Sequence, residues 1–392
     1  MKHRIARWGS LAAAAIALSG VACAQSVPAQ FVVSGKAAEK IQDFTTINLN
    51  TAERLAEACE KAVIAKGGGQ HTITVLDNDG NRVYVDRMDG QSYINIVTSE
   101  MKARTALMGR EPSKVYANRT AQDPTQEFQE IQLGFYPVSG ALPIVVNKQM
   151  IGVIGIGGYP PNPPVWSDEI CAHTALVEVI GPSVAPLVED LPRRPNTPNP
   201  NAVPVPRFVA ATPPKSNLPA EFVVGAKAAA NVFDGNQISL AIAKKVARAC
   251  RDWVASRGGG MSLYVIDDAG EFVHIERMDG QVSSDNRTAL LKAQTALRTR
   301  QPTSIYAAQG KNNPGGLPRT TVFFNYFAAP GGIPIVVDGQ MIGAIGVSGA
   351  GGDDENCAIE GLKAAFGDHA TMPVYGPAGP GGGSAPAPGA PR

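Results

Sequence analysis

The chain has 392 residues, 44% hydrophobic and 18% charged, with a formal net charge of +1. That length suits two domains of ordinary size, each with its own core. No basic run occurs, which argues against nucleic acid as a ligand, because phosphate binding needs clustered Lys and Arg.

Residues 1–24 read as a secretory signal: Lys2, Arg4 and Arg7 precede the apolar stretch Leu11–Leu18, and small Ala22 and Ala24 fit cleavage after Ala24. An uncleaved anchor is the first alternative, although the stretch is short for a span. A lipoprotein acylated on Cys23 is the second. The expectation is a periplasmic or secreted protein with no integral membrane span once the leader is removed. A helix is expected over Leu49–Lys66, where Leu55, Ala58, Cys59, Ala62 and Val63 keep helical spacing and a glycine triplet follows. Two strands come next, Thr72–Leu76 and Arg82–Asp86, around the turn Asp77-Asn78-Asp79-Gly80. A second helix over Thr98–Gly109 is closed by Pro112. Strands Leu142–Val146 and Met150–Ile156 follow, and a last helix starts near Ser167. This order suggests an antiparallel sheet with the first and last helices packed together on one face.

The whole pattern then repeats about 190 residues later. Phe31-Val32-Val33 returns as Phe222-Val223-Val224, and Arg87-Met88-Asp89-Gly90-Gln91 as Arg277-Met278-Asp279-Gly280-Gln281. Lys102-Ala103-Arg104-Thr105-Ala106 returns as Lys292-Ala293-Gln294-Thr295-Ala296, and Gln149-Met150-Ile151-Gly152 as Gln340-Met341-Ile342-Gly343. The organisation read from this is a first domain over 31–185, a proline-rich linker over 186–220, a second domain over 221–370, and a Gly/Pro/Ala tail over 373–392 expected to be disordered.

The Arg-Met-Asp segment, the Lys-Ala-x-Thr-Ala helix and the run Gly331-Gly332-Ile333-Pro334-Ile335 leading to Asp338–Gly349 resemble the GlcG/HbpS family of haem-binding or haem-degrading domains. The resemblance covers most of both copies and is closer in the second. It implies an α+β architecture: two profilin-like domains, each a five-stranded antiparallel sheet flanked by helices. It also implies a tendency to oligomerise, with the tandem copies as an internal pseudo-dimer, and haem as the cofactor. If the first and last helices pack as the family fold implies, Cys59 would bridge to Cys171 and Cys250 to Cys357; four buried free thiols are the alternative.

Candidate ligand contacts follow from residue chemistry. Arg87 and Asp89, with their twins Arg277 and Asp279, offer either a guanidinium fork for a carboxylate or propionate, or a structural Arg–Asp pair. Lys102 and Lys292 add charge from the next helix. His274, alternating on a strand with Phe272, is a candidate axial ligand or an ordinary strand residue, and no histidine is repeated between copies. Gly331 and Gly332, in the run that carries the resemblance, are candidate ligand contacts. The glycines of Gly152–Gly158 lack the Lys-Ser/Thr of a phosphate loop and suit close packing on a sheet. No hydrolytic triad and no Cys-x-x-Cys pair is present. The reading is an exported, non-catalytic binding protein for haem or a similar small anionic ligand. The alternatives are a haem-degrading enzyme, and an accessory or assembly subunit built as a covalent pseudo-dimer.

Overall fold

The computed structural model describes residues 27–40, 45–66, 69–123, 125–158, 167–189, 215–232, 234–312, 321 and 323–373. The expected leader, most of the linker and nearly all of the tail lie outside the described residues. In the first copy, α1 (Leu49–Ala65) starts where Asn48 accepts the Thr51 N–H, and it ends at Lys66 before the glycine triplet. Then come β1 (His71–Leu76), β2 (Arg82–Arg87), α2 (Ile94–Gly109), α3 (Ser113–Gln122), α4 (Thr125–Gln132), β3 (Ala141–Val146), β4 (Gln149–Gly158) and α5 (Asp168–Val179). The second copy repeats this as α6 (Leu240–Ala255), β5 (Ser262–Asp267), β6 (Phe272–Arg277), α7 (Ser283–Thr299), α8 (Thr303–Asn312), β7 (Gly332–Val337), β8 (Gln340–Ser348) and α9 (Asp354–Phe366).

Pro112 does not simply close a helix. Arg110 takes a left-handed conformation (φ 56°) that ends α2, and Pro112 then caps the start of α3. A proline costs nothing there because the first amides of a helix have no intrahelical acceptor. The sequence reading also missed α4, whose eight residues are mostly polar.

All eight strands join one antiparallel sheet in the order β3-β4-β1-β2-β6-β5-β8-β7. The resemblance implies five strands per copy. Here each copy gives four, and the segment before its first helix adds only an isolated bridge, Val32 to Ile47 and Val223 to Ile238. What would be the edge of each half is paired instead with the other half. β2 and β6 meet in register at Tyr84–Glu276, Val85–Ile275 and Asp86–His274. Each half thereby hides a row of amides and carbonyls that would otherwise template aggregation.

Helices cover both faces. Alternation along β4 sends Ile154 and Ile156 into the core under α1 and α5, while Gly155 and Gly157 face α2. A side chain on Gly155 would strike Ala103 and the Ser99 carbonyl, and Gly346 stands in the same relation to Ala289 and Ala293 of α7. The glycine run is thus a helix seat. The first and last helices of each copy lie together, as expected, and carry the cysteines. Cys59 is linked to Cys171 with Cα atoms 5.1 Å apart, and Cys250 to Cys357 at 4.7 Å. All four are fully buried.

Candidate functional site

The motif that both copies keep turns out to be the fastening between them. Arg87 at the end of β2 crosses the seam to the carboxylate of Asp267 at 2.8 Å, and Arg277 crosses to Asp77 at 2.5 Å. Both arginines are buried. The two receiving aspartates are the turn-formers read from the sequence, and each does two jobs. One oxygen of Asp77 accepts the amides of Asp79 and Asn81, leaving the other for Arg277; Asp267 likewise serves Ala269, Glu271 and Arg87. Arg87 also lies over the Tyr93 ring, 4.8 Å from its centre.

The methionine, aspartate and glycine of the motif cross too, while Gln91 stays within its own copy and donates to the Gln70 carbonyl. Asp89 accepts the Leu240 N–H at 2.7 Å, and Asp279 accepts the Leu49 N–H at 2.8 Å. Each carboxylate therefore holds the N-terminus of the other copy's first helix, where free amides and the helix dipole favour an anion. Met88 and Met278 each pack against both main cores. Gly90 (φ 77°) presses on Ala228 and Gly280 (φ 78°) on Ala37, each the short 3-10 element of the opposite copy. The sequence left open whether the arginine and aspartate bind a ligand or fix a connection. Each arginine sends one Nη across to an aspartate and each aspartate accepts a helix amide of the other copy, while Arg87 Nη1 and Arg277 Nε are buried with no hydrogen-bond partner among the described residues.

Lys102 and Lys292 play a different part within each copy. Lys102 donates to the Ile156 carbonyl at 3.0 Å and to Asp168 at 2.6 Å; Lys292 donates to Val347 at 2.9 Å and to Asp354 at 2.6 Å. Each lysine ties a sheet-covering helix to a strand end and to the first turn of the last helix. In the first copy alone His71 joins this group, with its Nε2 3.4 Å from Asp168. Burial lowers the His71 pKa and raises that of Asp168. Gly331 (φ 122°) and Gly332 lie beside this lysine, and a side chain on either would meet Lys292, Asp354 or Thr303. The close approach at these glycines is filled by protein.

His274 faces inward, fully buried, with Nδ1 2.5 Å from Asp86 and Nε2 2.9 Å from Glu276. Burial by itself would depress its pKa, but the two carboxylates outweigh that and push it up to about 9. Both ring nitrogens are occupied, so neither is presented to a metal. Lys244 closes the cluster, 2.7 Å from Asp86 and 2.9 Å from Glu60. Among the described residues no group of three metal-ligating side chains gathers in one place, and no helix is long and apolar enough to cross a membrane.

Sequence reasoning passed over one further feature, an apolar outer face on the first copy. On α2, Ile94, Val97, Met101 and Met108 are exposed at helical spacing, and on and just after α4 so are Phe128, Ile131 and Leu133. Met108 reaches Gly134, in the turn after α4. The matching α7 positions of Val97 and Met108 are Arg287 and Arg298. The signal was present in the sequence as an apolar stripe along α2 that α7 interrupts with Arg287 and Arg298, although the second copy keeps exposed Phe323 and Phe324.

These features define a class: a tandem α+β protein whose two halves share one sheet and are locked by a reciprocal motif. The chain belongs to the HbpS-like family, described as haem degrading protein HbpS-like, whose model matches residues 47–176 and 238–363. It is similar to protein GlcG of Escherichia coli strain K12, 30% identical over 115 residues, covering 28% of this chain and 84% of GlcG. Among solved structures it is similar to HbpS, at 30% identity and TM-score 0.31, covering 35% of this chain and 94% of HbpS. A structure titled as a PduOC:haem complex matches at 21% identity and TM-score 0.30, covering 33% of this chain and 94% of that one.

Proposed function

We propose that this chain is an exported, non-catalytic binding protein for haem or for a similar small, anionic and partly apolar molecule. The observation that carries the reading is the match of both copies to a haem-related family model. The residues singled out in the sequence do not fit haem: the arginines and aspartates bond across the seam, the lysines tie helices, and the unrepeated His274 is held by two carboxylates. The apolar outer face of α2 and α4 fits better. Haem needs an apolar wall and a soft or imidazole donor; Met101 and Met108 offer thioethers beside exposed Val97 on α2, with Met108 reaching the turn after α4 that follows exposed Leu133. Arg104, one turn from both methionines, is half-exposed and bonded to Glu100 through Nε and Nη2, so a ligand carboxylate would share its guanidinium with that side chain. The reading is binding alone, because degradation needs a reductant and the sequence carries no flavin or nicotinamide motif.

Titrating the purified protein with haem tests this. A shifted Soret band at micromolar haem is expected, weakened in Met101→Ala/Met108→Ala. An unshifted band would remove the binding reading and leave the accessory-subunit alternative. Loss of the band on adding reductant and oxygen would show that the chain degrades haem. For export, the mature chain recovered outside the cytoplasm should begin at Gln25.

A further inference from the structure

The two first helices face each other across the seam with opposite charge. Aligned on their cysteines, Glu53, Glu57 and Glu60 of α1 occupy the positions of Lys244, Arg248 and Arg251 of α6. The pseudo-two-fold passes between Val85 and Ile275, so each helix meets its twin head to tail. Lys244 reaches Glu60 at 2.9 Å, Arg251 reaches Glu53 at 3.1 Å, and Arg248 at the middle lies 3.2 Å from Glu53 and 3.8 Å from Glu57. Glu53, Glu60, Lys244 and Arg251 are each less than one-fifth exposed, so solvent screens them poorly. Beneath them the strand acids are shared: Asp86 receives Lys244 from the other copy, and Glu276 receives Arg251 from its own.

We infer that this seam is a charge-coded interface: the acidic face of α1 accepts a basic face of the α6 kind and rejects a second acidic one. The partner it fits is a domain of this same fold carrying Lys and Arg at those three helix positions. In a pairing of two first copies, Glu53 would face Glu60, Glu57 would face Glu57, and Asp86 would lose both Lys244 and His274. A pairing of two second copies would set Lys244 against Arg251 and Arg248 against Arg248. Like charges in so enclosed a place cost far more than an exposed pair gains. The code selects against the homotypic pairings that the shared backbone register would otherwise permit equally well.

The pseudo-symmetry supplies its own test in the full chain. One variant, Glu53→Lys/Glu57→Arg/Glu60→Arg, makes both faces basic; another, Lys244→Glu/Arg248→Glu/Arg251→Glu, makes both acidic. Combining all six exchanges the faces, and Asp86 and Glu276 then receive the new cations in the mirrored arrangement. Each three-fold variant is expected to lose roughly 10 °C in Tm or to open its seam. Mixing the two should give a 1:1 complex by light scattering and native mass spectrometry, disrupted by high salt. The six-fold exchange should regain most of the lost Tm and the parent mass, and this holds even if a three-fold variant fails to fold. Three-fold variants as stable as the parent, or a six-fold exchange no better than either of them, would overturn the inference.

Discussion

At the scale of single residues, the most consequential groups are buried charges whose partners come from the other copy. Arg87 donates one Nη to Asp267 at 2.8 Å in a site closed to solvent. Removing one member of such a pair leaves an uncompensated charge, which typically costs about 3–5 kcal/mol. Arg87→Ala should therefore lower the unfolding free energy by about that much in urea titrations. Adding Asp267→Asn should recover part of it, because the amide still accepts the turn hydrogen bonds of Ala269 and Glu271 without the orphan charge. A loss of less than about 1 kcal/mol for Arg87→Ala, the range of an exposed pair, would rule out the buried assignment. His274 makes a pH prediction. Its pKa of about 9 in the folded chain lies above the ordinary 6.5, so its contribution to stability is complete below about 6.5 and disappears as pH rises through 9. Glu60, pushed up by burial and then by Asp86 and pulled back by Lys244, acts in the same direction, since the unfolded chain ionises it at a lower pH than the folded chain does. Stability should fall from neutral toward alkaline pH, and His274→Gln should flatten the slope without abolishing it. A slope unchanged in that variant would mean the ring is neutral in the fold. None of this was legible in the sequence beyond the presence of the motif. Arg87 and Asp267 are 180 positions apart, and only the register of β2 on β6 brings them together.

At the scale of elements the sequence was more informative. Periodicity located α1 and its twin, the Asp-Gly turns located both hairpins, and Ser167 was read as the start of the last helix, where it caps by accepting the Ile170 N–H. Elements whose formation depends on neighbours rather than on pattern were lost. α4 is an example: it carries exposed Phe128 and Ile131, and only Glu130 is buried, so no apolar stripe facing a core announces it. The role of the glycines in β4 and β8 was half legible, as close packing with an unnamed partner; the partner is the helix laid across each strand. The cysteines join elements far apart in sequence, 112 and 107 residues, and fix the first helix of each copy to its last. Loops of that length give about 4–5 kcal/mol per bridge in the chain-entropy model. Alkylation before reduction should therefore leave Cys59, Cys171, Cys250 and Cys357 unlabelled in peptide mass spectra. Reduction should then lower the Tm by several degrees or more; four labelled thiols in the unreduced protein would contradict the linkage.

At the scale of the whole molecule, two copies recognised as separate domains in the sequence behave structurally as one body. The sheet runs unbroken through the seam, a core under α7 takes Val85 from the first copy beside Ile275 and Tyr264, and Met88 and Met278 belong to both main cores. Each copy also holds the N-terminus of the other's first helix through Asp89 or Asp279. Unfolding one half would thus expose a strand edge, take a carboxylate from a helix N-terminus and strand two buried charges in the other, so neither half keeps its stability alone. Calorimetry should accordingly show one transition, with the measured enthalpy equal to the van't Hoff enthalpy for the pair as a single unit. Loosening the seam with Arg87→Ala/Arg277→Ala should broaden this or split it in two, the first copy and the second melting separately because their helix charges and outer faces have diverged. Two resolved transitions in the parent chain would show that the shared sheet joins the copies without coupling them, and the reciprocal motif would then be a matter of alignment rather than of stability.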